Sequence, residues 1–282
     1  MIHSFLMIGQ SNMAGRGYLK DVAPIYDEHI KVLINGRWQT MTEPVSHDRP
    51  MSGVSLAATF AGAFRLQNPE QQIGLIPCAD GGTSLDDWAV EGALFENAVS
   101  QAKLAQRESK LAGILWHQGE NDSFSGLSGQ YYQKLSVIVD ALRLALNAGD
   151  IPFIAGGLGD FLSGGRYGQY FTEYQKVNQA LLHFADTKPN CYFVSAAGLG
   201  ANPDDLHFNA DSLRIFGFRY FEAWQHQKNV LTELPDEKAI VSTIVSRPLT
   251  KNEKIALLKN SFAGGVLSED DFESEMKKLE QL

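Results

Sequence analysis

The sequence is poor in the features that mark nucleic-acid-binding, membrane and disulfide-rich proteins. Among its 282 residues, 24 are basic and 33 are acidic, so the net charge is −9 and a basic surface for polyanions is not expected. It has two cysteines, Cys78 and Cys191, in or beside apolar runs, which favours buried free thiols over a disulfide framework. No segment approaches the ~20 apolar residues of a membrane span. We therefore expect neither nucleic-acid nor membrane partners.

The amino terminus lacks a basic segment followed by a signal-type apolar region. This favours a cytoplasmic protein, or a secreted one if a leader was removed before residue 1. Hydrophobic residues make up 44% of the chain, enough for a sizeable core in one large domain with a small appendage.

Apolar runs that alternate with longer amphipathic stretches predict an α/β fold. Short continuous runs predict strands covered on both faces, over residues 2–8, 72–77, 112–117, 151–156 and 191–195. Helical spacing predicts helices over residues 54–67, 93–109, 128–148, 170–185 and 210–228. This alternation is typical of a mainly parallel sheet, of five strands in this case, with helices on both faces. In such sheets, functional sites lie at the carboxyl ends of the strands.

Two segments fall outside this alternation. Residues 18–52 have no clear periodicity, and a small hairpin is expected in them around Asn35-Gly36. After about residue 230 the pattern changes, which predicts a main domain at 1–229, a linker at 230–250 and a helical hairpin at 251–282. Because so small a hairpin cannot bury much surface alone, we expect it to pack on the main domain or on another copy of the chain.

Polar motifs follow the first two predicted strands of the core. Ser11, in Gly-Gln-Ser-Asn-Met-Ala-Gly, suits either a nucleophile that also donates its backbone N–H or a helix cap. Gly81 and Gly82 either let a backbone N–H approach a ligand or form an ordinary turn. Trp88, a few residues later, is either a wall for a sugar ring or part of the core.

Two further polar motifs follow later strands. In residues 116–122, the side-chain amides of Gln118 and Asn121 suit donors to an oxyanion, whereas Glu120 is expected mainly to brace the loop. This segment lacks the companion ligands of a metal site, so we expect neither a metal nor a cofactor. Asp204 and His207 are three residues apart, which lets the carboxylate orient an imidazole that takes the proton of Ser11.

Together the four motifs supply a nucleophile, a base, an orienting acid and oxyanion donors, which is a complete set for acyl transfer. They resemble the motifs of the SGNH (GDSL-like) hydrolases, and within these the branch of sialate O-acetylesterases and carbohydrate esterase family 6. The resemblance rests on residues 9–15, 81–84, 117–120 and 204–207 and covers about residues 1–228. It implies a flavodoxin-like three-layer α/β/α sandwich and a triad of Ser11, His207 and Asp204.

The resemblance also implies an oxyanion hole. Its donors would be the Ser11 N–H, a glycine N–H and a side-chain amide. Gly81 or Gly82 supplies the glycine N–H, and alignment with G-x-T favours Gly81. Gln118 or Asn121 supplies the amide, and Gln118 is favoured because it lies nearer the end of the strand.

The expected activity is a serine esterase that removes acetyl groups from sialic acid, xylan or another glycan. Two alternatives stay open, a short-chain lipid or thioester acyl hydrolase with the same triad and a non-catalytic glycan-binding protein. Candidate substrate contacts are Gln10, Trp88, Glu120 and Arg166. The tail from Glu253 resembles a SHOCT module, a short helical hairpin, which suggests oligomerisation or docking.

Overall fold

The computed structural model describes residues 1–280, which form three layers, α/β/α, around one central sheet. The strands are β1 (Ile2–Gly9), β2 (Ile30–Ile34), β3 (Arg37–Thr40), β4 (Gln72–Pro77), β5 (Ser109–His117), β6 (Phe153–Gly156) and β7 (Cys191–Val194). In this part of the chain the sheet has seven strands in the order β3-β2-β4-β1-β5-β6-β7. All neighbouring pairs are parallel except β2 and β3. The predicted fold class is therefore confirmed.

The predicted count of five strands was wrong, because the described chain adds two more strands. These are β2 and β3, which form the hairpin expected around Asn35-Gly36 within the excursion 18–52. The hairpin is not separate from the sheet, since β2 pairs in parallel with β4. Both strands are short. The outermost strand, β3, alternates between exposed and half-buried residues, and Lys31 interrupts the apolar residues of β2.

The alternation of side chains along β1 divides the core between the two helical layers. Phe5 and Met7 pack with the helices on one face, and Leu6 and Ile8 pack with those on the other. The first layer contains α2 (Leu56–Gln67) and α6 (Ala210–His226); the second contains α3 (Ala93–Ala105), α4 (Tyr131–Leu146) and α5 (Tyr174–Thr187). Within residues 1–280 no helix combines the length and apolar character required to cross a bilayer.

The segment 230–250, expected as a linker, contains a helix, α7 (Glu237–Val245). Arg219 of α6 holds it through a buried ion pair with Glu237 at 2.7 Å, and Ile244 packs against Gly62 of α2. The structure thus has a short packed helix between the two prolines of this segment, and the division into domains at this segment stays a prediction.

Beyond α7 the chain forms a helical hairpin of α8 (Lys251–Ala263) and α9 (Glu269–Glu280). Residues 281–282 of the predicted hairpin lie outside the described residues. Glu253 attaches the hairpin to the main body, since its buried carboxylate accepts hydrogen bonds from Glu28 N at 2.9 Å and Arg247 Nη2 at 2.7 Å. The hairpin thus packs on the excursion that precedes β2.

Both cysteines are buried thiols. Burial raises the pKa of Cys78 to about 12 and the pKa of Cys191 to about 11. Because the thiolate is the reactive form, these side chains serve as core residues at neutral pH.

Candidate active site

Ser11 is presented at the carboxyl end of β1, as the first residue of a one-turn helix, α1 (Ser11–Ala14). Just before it, the chain lies so close to the end of β5 that a Cβ on Gly9 would be 2.1 Å from the carbonyl oxygen of His117. Gly9 also has a φ of 125°, which favours glycine. Gln10 N then donates to His117 O at 2.8 Å. These contacts fix the turn that leaves the Ser11 side chain at the rim of the sheet.

Asp204 and His207 reach Ser11 from the loop between β7 and α6. His207 Nε2 lies 3.1 Å from Ser11 Oγ, and His207 Nδ1 lies 2.7 Å from Asp204 Oδ2. The other carboxylate oxygen, Oδ1, accepts the backbone N–H groups of Leu206 and His207, each at 3.0 Å. Burial raises the pKa of Asp204, but these bonds and the imidazole lower it further, so the carboxyl pKa is below its ordinary value. Asp204 is thus held as an ionised partner of the imidazole.

Asn12, the neighbour of Ser11, fastens the histidine loop to α1. Its Oδ1 accepts Phe208 N at 3.1 Å, and its Nδ2 donates to Leu206 O at 3.4 Å and to the carboxylate of Glu120. The peptide groups on both sides of His207 are therefore tied to the residue beside Ser11. Reasoning from sequence missed this role, although the position of Asn12 within the serine motif was the available signal.

The backbone donors near Ser11 differ from those expected. Gly81 N–H donates to Asp48 Oδ2 at 2.9 Å, so it is already occupied. The backbone N–H groups of Ser11 and Gly82 donate to no acceptor within residues 1–280. Preference for Gly81 as the glycine donor is therefore not supported by the geometry, which leaves Gly82 as the available one.

The two candidate amides also occupy different environments. Gln118 is fully buried, and its Nε2 donates both to Thr83 O at 3.0 Å and to Asp122 Oδ2 at 2.6 Å. Asn121 is exposed, and its Nδ2 donates to Gly82 O at 2.8 Å, which leaves one N–H for a ligand. The preference for Gln118 fails because both of its N–H donors are committed within the fold.

A buried ion pair from the excursion supports the glycine turn. Arg16 Nη2 lies 2.6 Å from Asp48 Oδ2, and both side chains are 5% exposed. Burial raises the pKa of Asp48, but hydrogen bonds from Arg16 and Ser52 lower it further, so it lies below its ordinary value. Asp48 thereby holds the Gly81 N–H as an ionised acceptor. No periodicity or motif in the sequence of the excursion indicated this role.

Three of the four expected substrate contacts are buried. Gln10 and Glu120 are each 2% exposed, and Trp88 is 0% exposed. Trp88 Nε1 donates to Thr83 Oγ1 at 3.2 Å, so the indole is part of the core and not a wall for a sugar. These three side chains turn inward and support the loops, so the structure gives no support to their assignment as substrate contacts. Arg166 is exposed and lies over the ring of Tyr167, with 5.4 Å from its guanidinium carbon to the ring centroid.

Glu120 braces the centre of the site. Its Oε1 lies 3.5 Å from His117 Nε2, and Asn12 donates to the same atom. Burial raises the pKa of Glu120, but His117 and Asn12 lower it further, so the net pKa is below its ordinary value. Within the described residues, no group of three or more His, Cys, Asp or Glu side chains is arranged to hold a metal ion.

The chain is similar in sequence and in structure to known proteins. The chain is similar to a curated protein of Arabidopsis thaliana named as a probable carbohydrate esterase, with 28% identity over 242 residues, 78% of this chain and 89% of that protein. A crystal structure of the Arabidopsis thaliana protein has a TM-score of 0.70 at 26% identity and covers 79% of this chain and 98% of its own. The crystal structure of NanS has a TM-score of 0.64 at 18% identity, with coverage of 80% and 97%, and it supports the fold alone.

A family model described as "carbohydrate esterase, sialic acid-specific acetylesterase" matches residues 1–226. The match contains all four motifs and ends before α7, so the resemblance of the tail to a SHOCT module stays a prediction. Because this match covers most of the chain, the protein belongs to the carbohydrate esterase family of sialic acid-specific acetylesterases and is an ester hydrolase.

Proposed function

We propose that this protein removes O-acetyl groups from carbohydrates through an acetyl-enzyme formed on Ser11. The observation that carries the proposal is the continuous contact from Asp204 through His207 to the Ser11 hydroxyl, with distances of 2.7 Å and 3.1 Å. This is the arrangement in which an imidazole accepts a serine proton while a carboxylate fixes its tautomer.

In the proposed first step, Ser11 Oγ attacks the acetyl carbonyl carbon while His207 Nε2 takes the hydroxyl proton. Negative charge develops on the carbonyl oxygen, and the N–H groups of Ser11 and Gly82 with the Asn121 amide stabilise it. Asp204 stabilises the imidazolium. When the C–O bond to the sugar breaks, His207 gives its proton to the departing sugar oxygen, which leaves as a hydroxyl group.

In the second step, His207 takes a proton from water, whose oxygen attacks the acetyl carbon. The same donors hold the oxyanion, the bond to Ser11 Oγ breaks, and His207 returns the proton to the serine. The products are acetate and the regenerated enzyme. Because the imidazole must be neutral to act as a base, activity is expected to fall in acid.

The family description supports an acetylated sialic acid as one substrate, and the Arabidopsis thaliana relative supports the broader class of carbohydrate esters. A sialic acid carries a carboxylate, which the exposed Arg166 can meet. A panel of acetylated acidic and neutral sugars, read out as acetate release, identifies the sugar. Comparison of acetyl with octanoyl esters tests the alternative of a longer acyl group.

The decisive experiment replaces Ser11 by Ala and measures acetate release from a small acetyl ester. We expect loss of turnover with a native circular dichroism spectrum, because the substitution removes one oxygen. Ser100→Ala, at an exposed position of α3, is the matched control and should keep full activity. Full activity of Ser11→Ala would exclude the proposed nucleophile.

We further propose that the esterase reaction belongs to the main domain at 1–229 and that the hairpin α8–α9 serves in docking or self-association. Its attachment through Glu253 supports a role outside the catalytic rim, since this carboxylate accepts hydrogen bonds from Glu28, Arg247 and Thr250, none of which belongs to the rim. Light scattering on the full chain tests self-association, and a mass of one chain at all concentrations would reject it.

A further inference from the structure

Two aromatic side chains remain exposed on loops at the same end of the sheet as the triad. Phe124, in the loop after β5, is 43% exposed, and Tyr170, in the loop after β6, is 50% exposed. Their ring centroids are 5.9 Å apart with an interplanar angle of 70°, which is an edge-to-face pair. Single exposed apolar residues are common, but a paired set from two loops forms an apolar surface that a ligand can cover.

Hydrogen bonds join the two loops that carry this aromatic pair. Glu173 N donates to Ser123 O at 2.8 Å, next to Phe124. The Glu173 carboxylate, through Oε2, accepts Gly126 N at 3.1 Å and Ser128 Oγ at 2.8 Å. The two loops that carry the rings are therefore joined before a ligand arrives, which reduces the entropy cost of binding.

The loop after β6, which carries Tyr170, also contacts the loop that carries Asp204 and His207. The rings of Phe161 and Phe208 are 5.0 Å apart in edge-to-face contact, and Phe208 follows His207 directly. Further along the same loop, a Cβ on Gly165 would lie 2.2 Å from Asp205 Cβ, so this backbone lies against the turn that carries the triad. On the other side, Phe124 follows the exposed Asn121 by three residues.

We propose that Phe124 and Tyr170 form a subsite for a second sugar ring of an acetylated oligosaccharide, beside the sugar whose ester is cleaved. This inference rests on the proposed function. One face of a pyranose ring presents C–H groups, which pack on an aromatic face, while its hydroxyls stay in water at the ring edge. Two rings bordered by exposed polar residues such as Ser125 and Gln169 match the size of one sugar better than the wider apolar area that a lipid needs.

The test compares wild type with Phe124→Ala, Tyr170→Ala and the double variant on three substrates: an acetylated oligosaccharide, the matching acetylated monosaccharide and a small synthetic acetyl ester. For the oligosaccharide we expect KM to rise about tenfold in the double variant, from loss of apolar contact with one sugar face. KM for the two smaller substrates should stay unchanged. Tyr170→Phe retains the ring and should behave as wild type. Phe262→Ala, at a 39% exposed ring of the hairpin, is the control.

Each of the following results would contradict the proposed subsite. An equal rise in KM for all three substrates would indicate a structural role of the rings, and no rise would indicate no role. Wild type that hydrolyses the monosaccharide but neither hydrolyses nor binds the oligosaccharide would also reject it while leaving the proposed function intact. Failure of the proposed function itself is distinguished by Ser11→Ala, which would then retain activity on the small ester.

Discussion

Two regions at the rim come from the same sequence motifs but differ in burial, except that Ser11 of the first region is itself only 7% exposed. The reacting face consists of Ser11, Gly82, Asn121, Asp204 and His207. The buried polar layer beneath it consists of Gln10, Asn12, Gln118, Glu120 and Asp122. The side chains of Asp204 and His207 are 39% and 16% exposed, whereas Gln118 and Glu120 are 0% and 2% exposed. Adjacent residues of one motif thus fall into opposite regions, as Glu120 and Asn121 do.

The difference follows from the cost of burying polar groups. A buried amide or carboxylate destabilises the fold unless its donors and acceptors are paired. In the buried polar layer, Gln118 donates both N–H groups and also accepts from Tyr131 at 3.0 Å. On the reacting face, N–H groups such as that of Gly82 can be left for a substrate because they lie near solvent. The residues of the reacting face therefore take part in the chemistry, and the residues of the buried polar layer hold them in position.

The largest expected effect is loss of the base on the reacting face. His207→Ala should lower kcat by about 10⁶-fold, because serine then lacks a proton acceptor. Its unfolding temperature should change little, since the side chain is partly exposed. Acetate release and thermal unfolding measure the two quantities, with His226→Ala, a 51% exposed histidine, as the control. If His207→Ala lowered the unfolding temperature strongly as well as kcat, the distinction between the reacting face and the buried polar layer would be contradicted.

The next effect separates the two amides of the third motif. Asn121→Ala should lower kcat by about 10²–10³-fold with little change in stability, since it removes one oxyanion donor. Gln118→Leu should instead lower the free energy of unfolding by about 1–3 kcal/mol, because Thr83 O and Asp122 Oδ2 lose their buried donor. Steady-state kinetics and urea unfolding of both variants decide the assignment. The reverse pattern would restore Gln118 as the donor.

A smaller effect tests the charge in the buried polar layer. Because the pKa of Glu120 is lowered in the folded state, its ionised form contributes stability that is fully present above the unfolded value of about 4.5. That contribution is lost as the pH falls through the lower folded pKa. Glu120→Gln should therefore cost about 1–3 kcal/mol of unfolding free energy at pH 7 and less below pH 4.5.

Urea unfolding of wild type and Glu120→Gln across this pH range measures the difference. Asp86→Asn, at a side chain that is 69% exposed, is the control and should show little change at any pH. A cost for Glu120→Gln that does not vary with pH would contradict the role assigned to the Glu120 charge.

The smallest effect concerns Trp88. Trp88→Phe keeps most of the apolar volume and removes the Nε1 donor to Thr83, so it should cost about 1 kcal/mol of stability. KM for an acetylated sugar should not change, because the indole is inside the core. A raised KM with unchanged stability would instead indicate that Trp88 contacts the sugar, as the sequence analysis expected.

Much of the fold could be predicted because the central strands are covered on both faces and must be continuously apolar. The run predicted at 72–77 coincides with β4, and the run at 2–8 differs from β1 by one residue. The edge strand β3 and its neighbour β2 lack such long runs, so the sequence predicted only a small hairpin there within the excursion 18–52. The helix α7 was missed because its contacts, the ion pair of Glu237 with Arg219 and the packing of Ile244 on α2, come from distant segments of the chain.

By itself, the sequence determined the α/β class and the four motifs that end at one edge of the sheet, including Ser11, Asp204 and His207. Only the tertiary structure decided which groups of these motifs are accessible. Asp48, 33 residues away in sequence, occupies the Gly81 N–H, and Thr83 helps to occupy the Gln118 amide. The physical reason is that a hydrogen bond is decided by which partners the folded chain brings within about 3 Å, and those partners come from segments that no local pattern links.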